Sequence, residues 1–378
     1  MGGSLWAGLR DAAAAVSESL PGKLPGLRRL THRPPNYETP IEFFRSLLTP
    51  NEAFFVRYHH AIIPQVDAAD FRLEVGGPGA SKPATFTLAD LRGLPAVELV
   101  AVCQCSGNRR GLFQPPVPGL QWGHGAMGNA RWRGVRLAEL LARIGVSATA
   151  VEVSFDAADA APLDGTPDFV KSLPLAKALH PDTLLAYEMN GEPLPQANGF
   201  PLRLVVPGWT ATYWIKHVNR ISVLETAEKN FWMASAYRMP RSSFPLLERF
   251  VSQESGERSP VTEIAVNSLI TSMPAGGAWV AGQSELSGIA WDAGHGLDRV
   301  EVSFDGGSTW RRCLLGEDFG RYSFRRWQLD WPSLPPGRTE VWVRAANRAG
   351  QTQVEQAIPN PSGYQHNAYH RVPLEVRS

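Results

Sequence analysis

The chain has 378 residues, with 37 Lys plus Arg against 36 Asp plus Glu, and 43% of its residues are hydrophobic. That length buries a substantial core without a disulfide framework, and the composition excludes a mostly disordered chain. The near-balanced charge excludes nucleic-acid binding through bulk positive charge, no apolar run is long enough to span a membrane, and 35 Gly with 31 Pro disfavour a helix-rich fold.

Residues 1–38 read as an irregular N-terminal arm rich in Pro and Arg (LPGLRRLTHRPPNYE). The start MGGSLWAGLRDAAAAVSESL has no basic stretch followed by a clean apolar run. The expected compartment is therefore periplasmic if an export signal was removed, and cytoplasmic otherwise. A helix is expected after Thr39, with Thr39 as cap, Pro40 in the first turn, Glu42 completing a capping box and Pro50 at its end. FFVRYHH (54–60) reads as a strand, placing Arg57 and His59 on one face. An exposed edge would explain that pairing without chemistry. VELVAVCQCSGNRRG (97–111) begins as a buried strand and ends in a polar turn, where sheets often carry chemistry. RLAELLARIGV (136–146) is an amphipathic helix closed by Gly145. VEVSFD (151–156) alternates as a strand, Asn190-Gly191 marks a tight turn, and FPLRLVVPGW (200–209) is a buried strand stopped by Pro207-Gly208. Mixed strands and helices predict an α+β domain over 39–250. From 262 to 378 short strands separated by turns, including Asp305-Gly306-Gly307, predict an immunoglobulin-like β-sandwich.

The three cysteines are Cys103, Cys105 and Cys313, too few for a secreted disulfide scaffold. In CQCSGNRRG a thiol is followed by a Gly-Asn turn and Arg109-Arg110. Thiolate is a soft ligand for transition metals, adjacent guanidinium groups lower a thiol pKa, and an arginine pair can hold an anion. Of the basic residues 6 are Lys and 31 are Arg. That skew suits oxyanion binding, because guanidinium is a rigid fork of donors, and it equally fits a bias in genomic base composition. Taken alone, the pattern also fits a buried cysteine before a solvated loop, or a cysteine nucleophile with a histidine base such as His59 or His124.

CSGNRR resembles the molybdenum-binding signature of the sulfite oxidase family. MGNARWRGVRL (127–137), LLAYEMNGEPLP with NGFPLRLVVPGW, and DGGSTW resemble three further segments of that family in the same order, from about residue 38 to the end. FFVRYH and FWMASAYRMP are most similar to bacterial sulfite dehydrogenase catalytic subunits. The resemblance implies a molybdopterin-binding domain followed by a β-sandwich dimerisation domain, and molybdenum-dependent oxidation of sulfite, or a related small oxyanion, to sulfate. It implies molybdopterin as cofactor, Cys105 as the protein's metal ligand, and Cys103 as structural. It also implies Arg57 and Arg110 as substrate arginines, Arg109 as structural, and Tyr237 as the active-site tyrosine. His59 matches a pterin contact or an active-site histidine, and Asp159, Asn198, Arg203 and Lys216 match cofactor-contacting positions, with Asn198 standing where many relatives have histidine. Ser362 occupies the place of a C-terminal substrate arginine in animal-type relatives. Some bacterial relatives have arginine where this chain has His366, so His366 is expected to supply charge only when protonated. The expected partners are a second copy of the chain and a separate one-electron acceptor, for which a c-type cytochrome is one candidate. No haem-attachment motif is present in the chain. The alternatives are a related molybdenum enzyme acting on another oxyanion or S-oxide, and a non-catalytic interaction protein that has lost its cofactor.

Overall fold

A computed structural model describes residues 20–159, 161, 163, 165–240, 258–273, 278–279, 285–330 and 336–376. The first domain is built on two five-stranded sheets. One runs Glu192–Pro193, Leu184–Met189, Met127–Arg136, Ala96–Gln104, with Arg203–Val205 also paired to Leu184–Met189. The other runs Ala84–Thr87, Arg72–Gly76, Val218–Leu224, Glu152–Ala157, Lys171–Pro174, with one parallel pair, Val218–Leu224 beside Arg72–Gly76. The helix Leu137–Ile144 buries Leu137, Leu140, Leu141 and Ile144, one stripe at helical spacing. Gly145 follows at φ 68°, a conformation that ends the helix without a Cβ clash. Asn190 and Gly191 both take positive φ, the requirement of the tight hairpin between Leu184–Met189 and Glu192–Pro193.

Two local expectations are corrected. The helix after Thr39 is only a short 3₁₀ turn, Ile41–Arg45, that starts from Pro40 without a side-chain cap. The Thr39 hydroxyl donates instead to the Met127 carbonyl at 3.1 Å, a tertiary contact that outcompetes local capping. The arm is also not irregular where it is described. Arg28–Thr31 pairs with Asn36–Glu38, which pairs with Val56–Arg57. The strand expected over 54–60 is thereby limited to two residues.

The second domain is a sandwich of two sheets. One runs Asn267–Ile270, Glu285–Trp291, Arg325–Asp330, Leu314–Leu315, and the other Ala278–Trp279, His370–Val376, Gly337–Asn347, Leu297–Ser303, Arg311–Arg312. Val300, Val302, Val341, Val343 and Trp327 fill the space between them, together with the free thiol of Cys313. The domain boundary expected near residue 250 lies outside the described residues. Among the described residues no helix is long and apolar enough to cross a membrane.

The two domains share a core. Phe44, Val102 and Met127 of the first pack with Ile264, Leu269, Ile289 and Trp291 of the second, and Trp291 Nε1 donates to Gln104 Oε1 at 2.6 Å. Arg109, 1% exposed, crosses the joint to donate to Asn267 Oδ1 at 2.6 Å and to the Ala368 carbonyl at 2.9 Å. Around it lie His124, His366 and His370, with the His124 and His370 rings 4.5 Å apart. Burial, reinforced by Arg109, pulls His366 and His370 down to about 3. Burial, with His370 and Arg109 adding repulsion, holds His124 well below the usual imidazole range. The stability these neutral histidines allow is present above the unfolded value of about 6.5 and is lost as pH falls toward their folded values. The melting temperature should therefore fall as pH drops below about 6.5, and His366→Phe should make that fall shallower. Calorimetry across pH checks this, and a slope untouched by the substitution would contradict the assignment.

Candidate active site

The long strand Ala96–Gln104 delivers Cys105 to a turn that the sequence holds rigidly. The Cys105 N–H donates to the Ala126 carbonyl at 2.9 Å, and the Asn108 N–H returns to the Cys105 carbonyl at 3.0 Å. The Asn108 side-chain oxygen then accepts from Ala126 N–H at 3.0 Å. A Cβ on Gly107 would sit 2.6 Å from the Arg110 guanidinium, so a side chain there would have to push that group aside. Arg109 takes φ 67°, which turns its side chain into the domain joint and away from Cys105's neighbours.

Cys105 lines a partly enclosed cavity. Eight of the expected residues line the same cavity: Cys105, Arg57, His59, Tyr237, Asp159, Asn198, Arg203 and Lys216. Arg57 donates to Asn36 Oδ1 at 3.5 Å and to the Tyr58 carbonyl, both neutral acceptors. Lys216 donates to the Arg57 carbonyl at 2.7 Å and lies 3.8 Å above the Tyr58 ring. Arg203 donates to the Asn198 carbonyl at 3.0 Å and to Cys103 Sγ at 3.2 Å, and packs against the rings of Trp132 and Trp214. Its Nε is buried with no partner. Cys103 is therefore an acceptor supporting Arg203, and burial raises its thiol to about 11.

The electrostatics are lopsided. Asp159 is the carboxylate in the wall, and its other neighbour is His60, whose Nδ1 lies 3.8 Å from Asp159 Oδ2. Burial pushes Asp159 up to about 6 against the pull of Lys216 and His60, and burial with Arg203's repulsion pulls Lys216 down to about 7. A wall that gathers Arg57, Arg203 and Lys216 around one buried acid is short of negative charge. The shortage, the orphaned Arg203 Nε and the soft sulfur of Cys105 together fit a phosphate-bearing group that carries a thiophilic metal.

Tyr237 closes the cavity opposite. It is 8% exposed and held at φ 55°, an uncommon conformation for a non-glycine residue. Its hydroxyl lies 2.5 Å from His59 Nε2. Burial, then the charges of Arg57 and Lys216, keep His59 well below the usual imidazole range, and burial raises Tyr237. The pair is thus a neutral phenol and a neutral imidazole joined by one hydrogen bond.

Two expected residues lie elsewhere. Arg110 is not in the lining. Its Nε donates to the Ser362 carbonyl at 2.9 Å, and its guanidinium lies 5.3 Å over the Tyr364 ring, which stacks on Tyr237 at 5.5 Å. It sits behind the lining, against Gly107 of the cysteine turn and Tyr364, and its charge acts on Tyr237. His366 is 6% exposed in the domain joint, edge-on to Phe113, and is held neutral there. A protonated His366 supplying charge to the anion pocket does not fit that placement. Conversely, Phe169 and Trp232 form an aromatic wall around His59, with Phe169 stacked on it at 3.8 Å. Neither carries a polar pattern that sequence reading could have flagged.

The chain is similar to known proteins along most of its length. The family model "oxidoreductase molybdopterin binding domain" matches residues 60–232, and "Mo-co oxidoreductase dimerisation domain" matches 258–377. Human mitochondrial sulfite oxidase is 34% identical over 94% of this chain and 67% of its own length. The chain belongs to the sulfite oxidase family. Barley nitrate reductase [NAD(P)H] is 33% identical over 96% of the chain, which spans 43% of that enzyme. The crystal structure of the sulfane dehydrogenase SoxCD from Paracoccus pantotrophus superposes with a TM-score of 0.79 at 25% identity, covering 97% of this chain and 92% of that one. The protein is a molybdenum oxidoreductase of the sulfite oxidase type, with molybdopterin as its cofactor. Its fold is the family's α+β molybdopterin domain followed by a β-sandwich.

Proposed function

We propose that the protein oxidises sulfite to sulfate and passes the electrons singly to a separate acceptor. The observation that carries this reading is Arg57. Its guanidinium, satisfied by neutral acceptors, borders the same cavity as Cys105 and stands beside the Tyr237–His59 pair. A small oxyanion is the ligand that such a group attracts.

The overall change is sulfite plus water to sulfate, two protons and two electrons. When bound, molybdopterin supplies the metal that takes the two electrons, with Cys105 as the thiolate this chain offers it. Arg57 orients the anion through charge-assisted hydrogen bonds and stays charged throughout. Tyr237 donates to His59 when the imidazole proton sits on Nδ1, so Nε2 is the nearest neutral base to the phenol. A proton taken up by the pair would make His59 an imidazolium and add a positive charge to the wall, which burial and the charges of Arg57 and Lys216 oppose, so the pair serves to hold the phenol by its hydrogen bond rather than to store the proton. Phe169 and Trp232 pack around the imidazole ring.

The sandwich serves as a homodimer contact in this reading. Its model match supports this, as does an outer ladder in which Arg344 lies 3.9 Å over Trp310, Trp310 meets Tyr369 at 5.3 Å, and Arg371 lies 3.8 Å over Trp342. A two-fold contact is the commonest closed assembly.

Steady-state assays with an artificial one-electron acceptor should give the highest kcat/KM for sulfite in a panel that includes nitrate and thiosulfate. Arg57→Met should raise the KM for sulfite by about 10- to 150-fold, the equivalent of losing a hydrogen bond to a charged group worth ~1.5–3 kcal/mol. A better turnover of another member of the panel, or an unchanged KM, would overturn the assignment of substrate. Sedimentation equilibrium at micromolar protein should show a dimer, and a monomer would contradict the assembly.

A further inference from the structure

Lys23 belongs to the arm, yet its ammonium group ends deep in the first domain. The residue is 7% exposed. Its Nζ donates to the Asn51 carbonyl at 2.5 Å, to the Phe54 carbonyl at 3.0 Å and to Asn198 Oδ1 at 2.5 Å. Those three acceptors use all three of its protons, and none of them carries a charge. Burial pulls Lys23 down to about 7, opposed by Glu52 and reinforced by Arg203. The side chain thus joins the basic groups around Asn198 through neutral acceptors, with Glu52 as an acid whose charge acts on it.

Asn198 is the link to the cofactor cavity, which it lines. Its Oδ1 accepts from Lys23 and its Nδ2 donates to the Phe55 carbonyl at 3.2 Å. The lysine can only donate and the carbonyl can only accept, so these two contacts define which way the amide faces. One N–H of Nδ2 is left over for a ligand in the cavity. The arm around Lys23 is itself anchored on this side. Leu20, Leu24 and Leu27 pack with Tyr58 and Ala197, the Lys23 N–H donates to the Leu20 carbonyl at 2.9 Å, and the Leu24 N–H donates to the Glu52 carbonyl at 3.0 Å.

We propose that Lys23 is a cofactor-positioning residue: it locks the Asn198 amide with a donor toward the anionic cofactor and couples docking of the N-terminal arm to cofactor retention. An amide free to flip would offer its oxygen to an anion and lose the contact. In its protonated form the lysine also places positive charge behind Asn198, which lowers the electrostatic energy of a phosphate without touching it. The coupling is reciprocal, because a ligand that is held better with the arm docked must also hold the arm.

The test uses the loaded full-length protein. Lys23→Met should release molybdenum and pterin on dialysis roughly 10- to 100-fold faster than the parent, the usual scale for groups that orient a ligand contact. Lys23→Arg should retain most of the cofactor, and kcat per bound molybdenum should change little in either. Hydrogen–deuterium exchange of the unaltered protein provides a second reading that no folding defect can obscure. Arm amides in 20–38 should exchange more slowly in the loaded protein than in the cofactor-free one. Parental release rates in Lys23→Met, or identical arm exchange in the two forms, would overturn the proposal. So would an equal loss of thermal stability with and without cofactor, which would mark Lys23 as structural only.

Discussion

The constraint on which the rest of this structure depends is unpaired positive charge inside a protein. Arg57, Arg203 and Lys216 face one cavity, Lys23 lies behind it, and Asp159 is the acid in the wall. Moving a cation out of water costs several kcal/mol unless something replaces the hydration. Neutral groups here do part of that work. Lys216 rests on the Tyr58 ring and Arg203 packs against Trp132 and Trp214, where ring faces attract cations. Carbonyls of Arg57, Asn198, Asn51 and Phe54 accept the remaining protons. This solvation is incomplete, as the orphaned Arg203 Nε shows. The fold is prepared for an anion, and molybdopterin's phosphate is the anion that the family carries.

The neighbouring arginines of the cysteine turn show how backbone geometry divides labour. Arg109, in the left-handed conformation, points into the domain joint and bonds Asn267 and Ala368. Arg110 points the other way, onto Tyr364 and the Ser362 carbonyl. The turn that presents Cys105 is therefore tied twice to the second domain. Through the stack of Tyr364 on Tyr237, that domain also supports the active-site phenol. A sandwich whose sequence match is to a dimerisation domain is thus in mechanical contact with the chemistry.

Much of this was legible in the sequence. The helix ending at Gly145 and the Asn190-Gly191 hairpin rest on local rules, and the structure keeps them, whereas CSGNRR gained its meaning from resemblance. The ten site residues were read from the resemblance to the family, and eight of them line one cavity. The failures have a common cause. Thr39 abandons its cap for a carbonyl 88 positions away, and Lys23 meets Asn198 at a separation of 175. Such contacts leave no periodicity in the chain. His366 was assigned by position in an aligned motif, but Phe113 and Arg109 decide where its ring lies. Phe169 was missed because an aromatic residue before a strand reads as core, whichever ring it stacks upon.

The most direct test of the charge argument is the thermal stability of Arg203→Met, measured with and without cofactor beside the unaltered protein. Methionine keeps the apolar packing against Trp132 and Trp214 and removes a buried charge. The substitution should raise the melting temperature of the cofactor-free protein, which no longer buries that cation, and lower that of the loaded protein, which loses a partner for the phosphate. A change of the same sign in both forms would contradict the account, because the cation cluster would then be structural rather than held in wait for an anion.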